Sequence, residues 1–135
     1  MKYRNLADLF FKRAEKYARR PLARFKKRRH LPYEDISWAE AQVQVEQIAY
    51  GLKALGARKG QNIGLLATTC HYWMFCDFAI LTAGCCTVPI YHSSLPDSVK
   101  YIVDHAELEI VIVRNKIQLQ KLRSLWDTMP KLRYV

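Results

Sequence analysis

The residues best equipped for chemistry are Tyr91-His92-Ser93-Ser94, where an imidazole and two hydroxyls follow an apolar run. A histidine that takes a proton from a serine hydroxyl drives many hydrolases, but that pair depends on convergence in space, and the side chains of adjacent residues rarely converge. Ser93 or Ser94 is therefore expected to cap the helix that follows. The segment keeps its interest through position, because open α/β sheets bind ligands beyond the carboxyl ends of their strands. Asp77 stands in an otherwise apolar helical stretch. A buried carboxylate needs partners, so a structural hydrogen bond or a partly exposed edge is expected there in preference to catalysis. Tyr72, Trp73 and Phe75 could line an apolar ligand pocket, yet an aromatic run on a buried helix is more often core.

Other patterns exclude chemistry. Gly51 and Gly56 have the spacing of a phosphate-binding loop, but Ala57-Arg58 stands where Lys-Ser/Thr is required, and the glycines close a helix instead of opening one. No G-x-G-x-x-G follows a strand, and neither H-E-x-x-H nor G-x-S-x-G occurs. Cys70, Cys76, Cys85 and Cys86 form no C-x-x-C pair and lie in apolar stretches, so they are read as reduced core thiols. His71 and His92 have no metal-ligand spacing with any partner. No catalytic, cofactor-binding or metal-ligating residue is assigned.

The elements that would position any site are clearer. Apolar residues at helical spacing predict an amphipathic helix over Asn5 to Arg19, its other face carrying Lys12, Arg13, Lys16 and Arg20. Leu22–Lys27 and Tyr33–Ile36 read as a hairpin around a basic turn. Ser37-Trp38-Ala39-Glu40 matches the capping box, so a helix should begin at Trp38, with Trp38, Ala41, Val45, Ile48, Ala49, Leu52 and Leu55 on its apolar face and Gly56 at its end. Strands are expected at Ile63–Ala67, Cys86–Tyr91 and Leu108–Val113, with helices over Tyr72–Ala83, from Pro96 to Ala106, and over Ile117–Trp126. Pro89 suits a sheet edge or a strand irregularity, and Leu132–Val135 reads as the start of a further strand. The expected class is α/β, a parallel sheet with flanking helices. Residues 1–135 are read as a single partial domain, with a basic helix and hairpin in 1–35 and β/α units in 36–135.

Charge is distributed unevenly. The net charge is +10, and residues 1–30 carry twelve Lys/Arg against Asp8 and Glu15, so the whole excess lies there. Its densest part, Lys26-Lys27-Arg28-Arg29-His30, is expected to be a solvated turn, with contact to an anionic membrane surface or nucleic acid as the alternatives. The chain opens on no uninterrupted apolar h-region, and no run approaches the roughly 20 apolar residues that span a bilayer. A cytoplasmic protein, at most peripheral to a membrane, is expected.

Taken together, ISWAE, VEQIAYGLKALGARKGQNIGLLATT, YWMFCDFAILTAGCCTVPIYHSS and VKYIVDHAELEIVIV resemble, in order and spacing, the N-terminal region of the adenylate-forming, AMP-binding enzymes, specifically the long-chain fatty acyl-CoA synthetases. The likeness runs from Ile36 to Val113. It implies a partial N-terminal subdomain of the acyl-adenylate-forming enzyme fold. For the full-length family it also implies a two-step reaction, in which ATP and a fatty carboxylate give an acyl-adenylate and CoA then displaces AMP, with Mg2+ neutralising phosphate charge. The family's Ser/Thr/Gly-rich phosphate loop, Thr-Glu segment, ribose-binding Asp, hinge and C-terminal Lys have no counterpart here. The chain is therefore expected to be a fragment, inactive alone, or one part of a synthetase whose remainder is encoded separately. The competing expectation is a non-catalytic interaction module that works through its basic first thirty residues.

Overall fold

The computed structural model describes residues 2–135. Helix α1 (Leu6–Tyr17) is opened by Asn5, whose side chain accepts from the Asp8 amide at 2.8 Å. Its apolar face carries the buried Phe10 and Ala14, and the Phe10 ring stacks on Phe78 at 4.5 Å between centroids. The helix is a core element, and its basic face is what remains in solvent.

Strands β1 (Pro21–Phe25) and β2 (Glu34–Ser37) form the expected antiparallel hairpin, with an irregularity in register between Pro21 and Ala23. Two ion pairs tie its strands, Arg24 to Asp35 at 2.7 Å and Lys27 to Glu34 at 2.9 Å. The basic turn between the strands is exposed from Lys26 to His30. β2 runs directly into α2 (Trp38–Ala54) through the capping box. The Glu40 amide donates to Ser37 Oγ at 3.2 Å, and the Ser37 amide donates to Glu40 Oε2 at 2.8 Å. The Ser37 hydroxyl, donating to Glu40 Oε2 at 2.7 Å, and then the Ser37 amide hold the Glu40 carboxyl below the usual carboxylate range. Ala41, Val45, Ala49 and Leu52 are buried as their spacing requires. Leu55 departs from expectation: it is the C-cap, past the last full turn, and is 42% exposed. Gly56 follows with φ 87°, a left-handed conformation that closes the helix.

The second sheet is parallel, in the order β4-β3-β5. β3 (Asn62–Leu66) lies between β4 (Cys86–Ile90) and β5 (Val111–Val113). Helices α3 (His71–Thr82) and α4 (Pro96–His105) make the crossovers, and α5 (Lys116–Arg123) follows β5. Each face of the sheet is covered. Leu66, Ile90 and Val111 pack with Val99 and Val103 of α4 and Leu122 of α5. Ile63 packs with Leu52 of α2 and Ile80 of α3, and a contiguous cluster joins Phe10, Val45 and Phe75. The α/β class with a parallel sheet is thus the observed one.

Several expectations need correction. Neither Ser93 nor Ser94 caps α4: the N-cap is Leu95, with no side-chain bond, and Pro96 starts the helix. Proline brings a pre-set φ and no N–H, which lessens the need for a hydroxyl cap. Cys86 is exposed on the outer strand, not a core thiol, whereas Cys85 beside it is buried. Burial pushes the Cys76 thiol up to about 11. The stretch expected as a helix over Ile117–Trp126 splits into α5 and a short 3-10 turn at Trp126–Thr128. In Leu108–Val113 the ladder with β3 begins only at the Gly64–Val111 pair. Pro89 pairs with Leu65 on β4, an outer strand of the sheet, as its missing donor requires. At the opposite flank, Tyr134 forms a single parallel bridge with Ile110, so the strand expected over Leu132–Val135 amounts to that one bridge.

Candidate functional site

The register of the parallel ladders fixes where a site can be. Leu66 pairs with both Ile90 and Val113, so the chain leaves all three strands at one edge and forms a shelf from Ala67–Cys70, Tyr91–Leu95 and Arg114–Asn115. Strand carboxyl ends are the usual ligand side of such sheets. At this edge Arg114 ties two exits together. Its amide donates to the Leu66 carbonyl at 3.3 Å, and its Nη1 donates to Thr68 Oγ1 at 2.7 Å.

The loop after β4 is held from below by α5. Gln118 Nε2 donates to the His92 carbonyl at 3.2 Å, while Lys121 Nζ donates to the same carbonyl at 2.9 Å and to that of Ser94 at 2.6 Å. Inside the loop the Ser94 amide donates to the Tyr91 carbonyl at 3.0 Å. Gln118 is 6% exposed, and its Oε1 has no protein partner. The first turn of α5 is closed by Asn115, whose side chain accepts from the Gln118 amide at 3.1 Å.

Two concavities adjoin this shelf. A cavity of about 210 Å³ is lined by Ala67, Thr69, Trp73, Pro89, Ile90 and Tyr91. A larger groove of about 440 Å³ separates the hairpin from α2 and α3, with Phe25, Val43, Tyr72 and Phe75 as its apolar wall and Lys27, Glu34, Asp35 and Glu40 at its rim. His71 stands in this wall, its ring 4.2 Å from both the Phe25 and Tyr72 rings. Burial, then the nearby Arg114 charge, lowers its pKa from the ordinary histidine value, so the neutral ring is favoured.

The sequence candidates fare unequally in this arrangement. Tyr91, His92 and Ser93 are exposed on the shelf, and it is the loop's backbone that is engaged; no hydrogen bond links the His92 ring to either serine hydroxyl among the described residues. Asp77 occupies a partly exposed edge of α3. Phe75 is core, Trp73 lines the smaller cavity, and Tyr72 is 55% exposed on the groove. Gly51 and Gly56 lie at the carboxyl end of α2, where carbonyls and not amides point outward, which is the wrong polarity for a phosphate. Arg114, Gln118 and Lys121 were missed. Arg114 immediately follows a strand, the same positional signal that singled out Tyr91–Ser94, and it could have been found that way. Gln118 and Lys121 act on backbone carbonyls, for which sequence carries no mark.

Among the described residues, the strand ends bring together few groups that could hold a nucleoside triphosphate or its magnesium. Arg114 is exposed and gives one guanidinium donor to Thr68, the N-terminus of α5 is occupied by its own cap, and among the described residues no three His, Cys, Asp or Glu side chains come together as a metal site. What the arrangement offers is a rigid edge and apolar walls.

The family model of the AMP-binding enzyme matches residues 10–135. The chain belongs to the AMP-binding enzyme family. Among curated AMP-binding relatives, the long-chain-fatty-acid–CoA ligase FadD15 of Mycobacterium bovis is 31% identical over 103 residues, which is 76% of this chain and 17% of that protein. The long-chain-fatty-acid–CoA ligase ACSBG1 of Rattus norvegicus is 26% identical over 134 residues, 99% of this chain and 16% of its own length. The chain thus spans about a sixth of the curated relatives it matches. Among solved structures, the anthranilate CoA ligase AuaEII superposes with a TM-score of 0.87 at 22% identity, covering 98% of this chain and 25% of that one. A long-chain-fatty-acid–CoA ligase from Archaeoglobus fulgidus superposes with a TM-score of 0.84 at 19% identity, covering 100% and 28%. The shared part of this AMP-binding fold is its N-terminal subdomain.

Proposed function

We propose that this chain supplies the N-terminal partial domain of an ATP-dependent long-chain fatty acid–CoA ligase, and that residues 1–135 by themselves form no acyl-adenylate. Its role is then architectural. The shelf and the two concavities present a pre-set edge and apolar surface beside which later segments of such an enzyme complete the sites for fatty acid, ATP with Mg2+, and CoA. The observation that supports this reading is the extent of the match: residues 10–135 fit the AMP-binding family, yet the chain covers only 17% of the length of a curated long-chain-fatty-acid–CoA ligase. Charge developing on a departing pyrophosphate needs several preorganised donors, usually the largest contribution to catalysis, and the strand ends of this chain offer one exposed guanidinium, that of Arg114.

Fatty-acid-dependent ATP–pyrophosphate exchange tests it in two parts. The isolated chain is expected to give no exchange above background, and robust exchange by pure protein overturns the claim of inactivity. A chimera of the Mycobacterium bovis relative, carrying the aligned part of this chain in place of its own matching segment, is expected to retain long-chain-dependent exchange. A folded chimera that binds ATP but accepts no long-chain acid overturns the assignment to that substrate class.

A further inference from the structure

Two basic segments hold the charge excess, and the structure separates their capacities. In α1 the apolar face is buried through Phe10 and Ala14, which leaves Leu6 as the exposed large apolar side chain of the helix. Its cations are spread along the helix and past its end: Lys12 pairs with Asp8 at 2.9 Å, while Arg13, Lys16 and, beyond the C-cap, Arg20 stand 5.0–5.7 Å from the centre of the Tyr17 ring. The hairpin tip differs in gathering its cations within residues 26–29 of one exposed turn. Asp35 and Glu34 neutralise Arg24 and Lys27 in the stem, but among the described residues Lys26, Arg28 and Arg29 have no carboxylate within ion-pair distance. Beside them Tyr33 is 66% exposed, with Lys26 Nζ 4.7 Å from its ring centre. Phe25 and Lys27 then lead from the tip into the open apolar groove with Val43 and Tyr72.

We infer that the β1–β2 hairpin tip docks on an anionic lipid surface, with Lys26, Arg28 and Arg29 among the headgroup phosphates and Tyr33 at the level of the interface. Exposed cations near such a surface each contribute attraction that falls off within a Debye length, and tyrosine favours the boundary between water and hydrocarbon. A nucleic acid fits less well. A phosphodiester chain running on from the tip meets Glu34, Asp35 and Glu40 along the groove rim, whereas a flat bilayer meets the tip alone. The inference is independent of the ligase reading, since no step of it involves ATP or acyl transfer.

Sedimentation of the full chain with vesicles tests it, using phosphatidylcholine alone or mixed with phosphatidylserine, beside a labelled oligonucleotide at equal phosphate. Binding is expected only to the phosphatidylserine vesicles and should fall steeply with salt. Arg28→Ala with Arg29→Ala should weaken it about 25-fold, roughly fivefold for each cation near the surface. Tyr33→Ser should cause a smaller loss that persists at high salt. Lys16→Ala with Arg19→Ala, at and just past the end of α1, should cost less than the tip pair. All these side chains lie at or near the surface, and circular dichroism of each variant verifies that the fold is retained. Equal binding to neutral vesicles, indifference to the Arg28/Arg29 pair, or tighter binding to the oligonucleotide than to the vesicles overturns the inference.

Discussion

Neither strand of the β1–β2 hairpin contains a buried residue, whereas in β3 four consecutive residues, Ile63 to Leu66, are out of solvent. The hairpin is joined by exposed ion pairs, which contribute about 0–1 kcal/mol each. Its position is set instead by what it abuts, the capped start of α2 and the aromatic packing of Phe25 on His71. The parallel sheet is held by burial on both faces, as expected when crossover helices cover a sheet. One sheet is a scaffold in its own right, and the other is an attachment whose free surface stays available.

Substitutions can break or sharpen that contrast. Leu66→Ala removes a fully buried side chain where β3 meets α4 and α5, and should destabilise the chain by about 2–5 kcal/mol in urea titration. A cost below 1 kcal/mol would remove the distinction between the sheets. Gly64→Ala comes next. A Cβ there lies 2.9 Å from both Leu108 Cδ1 and Val111 Cγ2, and although the leucine tip can give way, the branched valine on the neighbouring strand has little freedom. About 1–3 kcal/mol is expected, read from the same denaturation midpoint. Ser37→Ala at the junction should cost about 1 kcal/mol, as for a lost N-cap. It should also raise the Glu40 carboxyl toward its ordinary value, which NMR titration would follow.

His71, where hairpin and sheet helix meet, gives the smallest effect and a pH signature. Its folded pKa is lowered below the unfolded value, so the unfolded chain binds more protons as pH falls through that interval. The stability it lends is present above the unfolded pKa and is lost as pH falls through the folded one. His71→Phe should flatten the decline in melting temperature as pH falls below the ordinary histidine value of 6.5, relative to the parent chain. An unchanged slope would assign that decline to other groups.

Local signals carried most of the fold into the sequence. The capping box at Ser37 and Glu40 is confined to four residues, and it appears intact in the structure. Hydrophobic runs were less exact guides, because they report burial and not pairing. Leu108 and Ile110 are as buried as a strand would make them, yet the ladder with β3 starts at Val111. The serine cap expected before α4 gave way to Pro96, since a hydroxyl's presence does not show that a helix needs it. At the shelf, Tyr91–Ser94 was legible by position, but the bonds holding it run from Gln118 and Lys121 across 26 to 29 residues to main-chain oxygens. Such acceptors look alike at every position of a sequence.

Pro89 has an implication for how this sheet can grow. A strand arriving beside β4 meets a residue with no N–H to offer, so the outer ladder there is interrupted. On the other flank, the Val111 amide already donates to the Tyr134 carbonyl and the Tyr134 amide to the Glu109 carbonyl. Recruitment of further backbone is thus directional: the β5 side admits it, while the β4 side resists the edge-to-edge stacking through which exposed sheets polymerise.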